Sequence, residues 1–150
     1  MQFESFLQKN GIWHEFLTKG SMHSASAASE QSGIPKDGIV KSLLFKAGDG
    51  FCLVIIQGSR RVSAKKLRRL LNEENVRLAS AEEVLRVTGY AVGAVPPIGL
   101  RNIMKCVVDK NAASLDAAWA GGGSADSLVH LKIADIIKYN SPVVADVSDR

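Results

Sequence analysis

The stretch Ile39–Gln57, IVKSLLFKAGDGFCLVIIQ, decides the fold of this 150-residue chain. Two apolar runs, Ile39–Lys46 and Phe51–Gln57, flank the short linker AGDG. Runs of this length, rich in β-branched and aromatic residues and joined by a glycine-rich linker, read as a β-hairpin. In the first strand, alternation puts Ile39, Lys41, Leu43 and Phe45 on one face and Val40, Ser42 and Leu44 on the other. Both faces are mainly apolar, so the strand is expected to be buried on both sides. Lys41 must then snorkel, pair, or meet a ligand. An anionic or hydroxyl-rich ligand is the functional reading of such a lysine.

Downstream, Gly58 ends the second strand and Ser63 caps a helix, AKKLRRLLNEE, with Leu67, Leu70 and Leu71 facing inward. Arg60, Arg61, Lys65, Lys66, Arg68 and Arg69 crowd ten positions here. The net charge is +4, and the excess lies in the first half: eleven Lys/Arg against seven Asp/Glu in residues 1–75, eight against eight thereafter. The cluster is a candidate phosphate-binding patch or else a solvated helix face. Val76–Ala79 reads as a short strand, and Ser80 with Glu83 fits a capping box for the next helix.

Thr88–Gly99, TGYAVGAVPPIG, holds three glycines and two adjacent prolines in twelve residues. Permissive and rigid positions alternate, so the loop is shaped, and its bare backbone suits holding a small polar group by N–H donors. A packed connection is the plainer alternative. Lys105–Asp109, residues 114–120 and Leu128–Ile133 read as strands, with a glycine cluster, GGGS, at 121–124. Ala134–Asn140 reads as a helix and the tail from Ser141 as loose. Upstream, residues 2–9 carry helical spacing, Ile12–Leu17 reads as a strand, and Ser24 caps a helix that Gly33 ends.

Interleaved helices and hairpins predict one α/β (α+β) domain over 1–150 with a mixed sheet. With 46% hydrophobic residues and no long apolar run, the chain reads as a soluble globule without a membrane span. The start, MQFESFLQKN, lacks the pattern of a signal peptide, which predicts a cytoplasmic protein. Cys52 and Cys106 lie in apolar runs and read as buried small hydrophobes. His14, His23 and His130 lack metal-ligand spacing, so no metal or cofactor is expected; His130 follows the glycine cluster and is a candidate to face a cleft. Neither a G-x-S-x-G elbow nor a phosphate-binding P-loop is present.

IVKSLLF, TGYAVGAVPPIG, GGGS and the closing IADIIKY, in this order, resemble the YbaK/ProX family of aminoacyl-tRNA editing domains. That family includes free-standing deacylases and the editing insertion of bacterial-type prolyl-tRNA synthetases. The resemblance runs from about Met22 to Tyr139. It implies a barrel-like mixed β-sheet flanked by helices, and hydrolysis of the ester joining a wrong amino acid to the terminal adenosine of tRNA. By resemblance, Lys41 contacts the terminal ribose or a nearby phosphate, and Ser42 is the neighbouring hydroxyl. Tyr90 belongs to the substrate loop, the backbone of Gly93 and Ala94 meets the substrate carbonyl, and Pro96 stiffens the loop. Gly121 and Gly122 form the pocket rim. Where some cysteine-removing members carry a serine before the rim glycines and an acid after them, this chain has Ala120 and Leu128. The less polar pocket leaves alanine or another small residue open beside cysteine. The implied partners are mischarged tRNA(Pro), with the basic helix on its phosphates, and prolyl-tRNA synthetase. A non-catalytic tRNA- or synthetase-binding domain and a small-ligand binding protein are the rival readings.

Overall fold

The computed structural model describes residues 2–18, 20 and 24–150. His23 and the Met22 start of the resemblance lie outside the described residues. In chain order the elements are α1 (Gln2–Lys9), β1 (Glu15–Thr18), α2 (Ala25–Ser32), β2 (Val40–Ala47), β3 (Gly50–Gln57), β4 (Arg61–Val62), α3 (Ala64–Leu71), β5 (Val76–Leu78) and α4 (Ala81–Thr88). Then follow β6 (Lys105–Asp109), α5 (Lys110–Ala113), β7 (Ala117–Gly121), β8 (Ser127–Lys132), α6 (Ile133–Asn140), β9 (Val143–Ala145) and β10 (Ser148–Asp149).

The hairpin forms as its sequence predicts. β2 pairs antiparallel with β3 from Val40↔Gln57 to Ala47↔Gly50, leaving Gly48–Asp49 as a two-residue turn. It sits at the centre of a five-stranded mixed sheet, β5-β2-β3-β6-β9, in which β3, β6 and β9 run parallel. Both faces of the hairpin are covered, so near-continuous apolar runs are required. Val40, Leu44, Leu53 and Ile55 enter one core cluster, while Phe45, Cys52, Val54 and Ile56 enter another. A second, antiparallel sheet, β1-β8-β7, packs beside the first, and one parallel bridge, Ile39↔Trp119, links them.

Local signals act where the sequence places them. Ser24 Oγ accepts the Ala27 N–H (3.0 Å) and starts α2. Ser80 and Glu83 form a reciprocal capping box on α4. Cys52 and Cys106 are free and buried.

Three expectations are corrected. The first strand begins at Glu15, not Ile12; the His14 ring bonds the Ile12 carbonyl (2.8 Å) and holds residues 12–14 out of the ladder. In α3, Leu67 is buried and Leu70 exposed, because the helix stops at left-handed Asn72 and has only one face against the core. The tail is not loose. β9 pairs with β6, β10 pairs with β4, and Val147 is fully buried. Asp109, also fully buried, accepts the Val147 N–H and the Ser148 hydroxyl, both at 2.9 Å.

Candidate functional site

A gap in strand pairing makes the site. The Leu44 carbonyl accepts the Ala79 N–H (2.9 Å), which marks the β5 edge of β2. Strand alternation turns the peptide groups of Val40 and Ser42 to that same edge. Yet β5 pairs only with Phe45–Ala47, and β7 reaches the strand only at the Ile39–Trp119 bridge. The edge between is open, and a cavity of about 280 Å³ lies along it, lined by the consecutive residues Val40, Lys41, Ser42 and Leu43. Ser24, Ala25, Ser26 and Ala28, from α2 and its cap, line it together with Val92, Gly93 and Val95 of the loop and with Gly121 and Leu128.

Among the described residues, Lys41 is the only lysine on the cavity wall and forms no ion pair. Partial burial, and then the charge of Lys36, lower its pKa from the ordinary lysine value. An ammonium held in this way gains from an anionic or hydroxyl oxygen placed beside it. Ser42 lines the cavity, and its hydroxyl is buried without a partner among the described residues.

The glycine-proline loop supplies donors, though not all those expected. The Ala94 N–H is already bonded to the Ala91 carbonyl (2.9 Å), and Ala94 itself is buried. The N–H groups of Gly93 and Val95 carry no hydrogen bond among the described residues, and both residues line the cavity. Gly93 has φ +85°, where a side chain is disfavoured, and the turn at 92–94 depends on it. Asn140 Nδ2 donates to the Pro97 carbonyl (2.7 Å) and ties the far end of the loop to α6. The loop rests directly on Gly121, where a Cβ would press on the Val95 carbonyl group.

Lys41, Ser42, Gly93, Gly121 and Leu128 therefore converge on the cavity, whereas Tyr90, Ala94, Pro96, Ala120, Gly122 and His130 do not line it. Tyr90 packs in the main core and its hydroxyl is buried without a partner among the described residues. Ala120 turns into the same core at 0% exposure, since alternation along β7 gives the cavity side to Gly121. Gly121 pairs with Leu128 across the strands, so that pair, not Ala120, forms the far wall. His130 lies one step outside the cavity, with its ring stacked on Trp119. The contributions of Ala28, Leu43 and Gly58 were not legible in the sequence; the nearest signal was the Ser24 cap, which fixes where α2 begins.

Of the six basic residues, two are engaged at home. Lys66 pairs with Asp146 and Asp149 (both 3.2 Å) and donates to the Ser148 carbonyl (2.8 Å). Arg60 Nε donates to Ser148 Oγ (2.6 Å). Arg61, Lys65, Arg68 and Arg69 remain exposed. Among the described residues no group of three or more His, Cys, Asp or Glu is placed to hold a metal ion, and no helix is long and apolar enough to cross a membrane.

Comparison with known proteins agrees with this geometry. The aminoacyl-tRNA editing domain family model matches residues 19–139. A proline–tRNA ligase of Thermotoga sp. (strain RQ2) is 36% identical over 99 residues, covering 66% of this chain and 17% of the ligase; the chain thus spans about a sixth of that relative's length. The ligase of Caldicellulosiruptor bescii is 44% identical over 68 residues, 45% of this chain and 12% of the ligase. A crystal structure of a hypothetical protein superposes with a TM-score of 0.90 at 30% identity, covering 99% of this chain and 100% of that one. Another, described as a candidate trans-editing enzyme for prolyl tRNA synthetase, gives 0.88 at 27% identity over 99% and 96%. The chain belongs to the aminoacyl-tRNA editing domain family.

Proposed function

We propose that residues 1–150 act as a single editing domain that deacylates mischarged tRNA, with Ala-tRNA(Pro) or Cys-tRNA(Pro) as substrate. The observation that carries this reading is the unpaired Lys41 ammonium in a cavity it shares with the free N–H of Gly93. Lys41 holds an oxygen of the terminal ribose or its phosphate. The Gly93 N–H donates to the ester carbonyl oxygen as it becomes an oxyanion. Water adds to the carbonyl carbon and the bond to the ribose oxygen breaks. That oxygen takes a proton and the amino acid leaves as its carboxylate. The ester is already activated, so positioning and oxyanion stabilisation suffice; one such donor is worth roughly 10²–10³ in rate.

Leu128 and Gly121 restrict the depth of the cavity and favour small side chains, a sieve by size. The exposed Arg61, Lys65, Arg68 and Arg69 face tRNA phosphates, and prolyl-tRNA synthetase is the partner that fits the substrate. The setting is the cytoplasm, where tRNA is charged.

The test is to incubate the purified protein with alanyl- and cysteinyl-tRNA(Pro) and follow loss of the ester. Hydrolysis that Lys41→Ala abolishes supports the reading. Binding without hydrolysis points to a non-catalytic tRNA-binding domain, and near-normal turnover by folded Lys41→Ala sinks the assignment.

A further inference from the structure

Outside the cavity lies an aromatic row that the deacylation chemistry does not use. His130 is paired with Trp119 on one side and Glu15 on the other, in register across β7, β8 and β1. The Trp119 and His130 rings stack 4.5 Å apart at 9°. Trp13 meets the His130 ring edge-on at 5.3 Å, and the Lys132 ammonium sits 5.7 Å from the Trp13 ring centre. At its inner end, Trp119 packs with Ile39 and Leu128, both of which line the cavity. At its outer end, Trp13 is 42% exposed. The row thus leads from the cavity wall to the surface.

We infer that the Trp119–His130–Trp13 row is a stacking surface for the unpaired bases at the 3′ end of the tRNA. This rests on the deacylase reading, because an amino acid in the cavity remains joined to a nucleotide at its mouth and the preceding bases must lie outside. Single-stranded RNA is held by stacking its bases on aromatic rings with cations on its phosphates. Trp13 offers such a ring and Lys132 such a cation, on an aromatic row that touches the cavity wall. Glu15 Oε1 lies 3.7 Å from His130 Nδ1.

Trp13 and Trp119 are the only tryptophans in the chain, so its intrinsic tryptophan fluorescence reports on this row alone. Titration with single-stranded CCA RNA is expected to quench it saturably, and an abasic strand of equal length is not. Trp13→Ala should weaken CCA binding roughly tenfold, as removal of one stacking partner does. Trp13→Phe should restore most of it. In deacylation Trp13→Ala should raise KM with kcat unchanged. Equal quenching by the abasic strand, or unaltered CCA binding by Trp13→Ala, overturns the inference. So does a concentration-dependent dimer that Trp13→Ala abolishes while RNA binding stays intact. If mischarged tRNA is not hydrolysed but CCA RNA still binds through Trp13, the deacylase reading fails and the stacking surface stands. If it is hydrolysed and Trp13→Ala leaves KM unchanged, the stacking surface fails and the deacylase reading stands.

Discussion

Lys41 carries its charge at a cost to the fold. Burial and Lys36 both disfavour the ammonium, and no carboxylate among the described residues answers it. Replacing it with an apolar side chain of similar length removes that cost. Lys41→Met should therefore melt no lower than wild type while losing deacylation, a pair of results read by a thermal melt and the ester assay. Gly121 is constrained from the other side of the cavity. A Cβ there would lie 3.0 Å from the Val95 carbonyl carbon, and backbone cannot rotate away as a side chain can. Gly121→Ala should destabilise by about 1–3 kcal/mol, as overpacking does, and displace the Gly93 donor. Denaturant melts and kcat check the two effects. Burial also pushes the Cys106 thiol up to about 12 and Cys52 to about 11, so neither is a thiolate nucleophile near neutral pH. Both should resist thiol reagents until the protein unfolds.

Among the elements, α4 shows how far local chemistry reaches. Ser80 Oγ accepts the Glu83 N–H (3.2 Å), and Glu83 Oε1 accepts the Ser80 N–H (2.8 Å). Arg77 adds a bidentate pair to the same carboxylate at 2.7 and 3.0 Å. First the Arg77 guanidinium and then the Ser80 backbone hold the Glu83 carboxyl down at about 2. A carboxyl lowered on folding stabilises fully above its unfolded value of 4.5 and progressively less as pH falls towards 2. Stability should decline over that window, and Glu83→Gln should flatten the decline when melts are compared across pH. Ser80→Ala removes the other half of the cap and should cost about 1 kcal/mol. The capping box was legible because all its partners lie within four residues. The basic helix was only half legible. Its charges are local, but the Lys66 partners lie about eighty residues on. Neutralising Lys65, Arg68 and Arg69 should lower the salt dependence of tRNA binding without loss of stability. Neutralising Lys66 should also loosen the tail.

At the scale of the molecule, the tail closes the fold. β9 and β10 complete two sheets, and Asp109 takes donors from Val147 and Ser148 of the tail as well as from Asn111. Truncation after residue 142 should lower the melting temperature sharply. Asp109 would keep its Asn111 donors and lose the two from the tail, each worth about 1.5–3 kcal/mol as a hydrogen bond to a charged group.

The sequence by itself determined the β2–β3 hairpin, the helix caps, the odd lysine in an apolar strand, and the shape of the glycine-proline loop. Each is written in neighbouring residues, through alternation, capping oxygens and glycine-proline spacing. Tertiary structure alone decided which donors of the loop stay free, since the Ala94 N–H is used in its own turn and that of Gly93 is not. It also turned Ala120 into the core, left Gly121 on the cavity, and folded a polar, short-patterned tail into two sheets. Such outcomes depend on pairing between distant strands. A one-residue step along a strand exchanges the cavity face for the core face, and local pattern does not fix that step where both faces are buried.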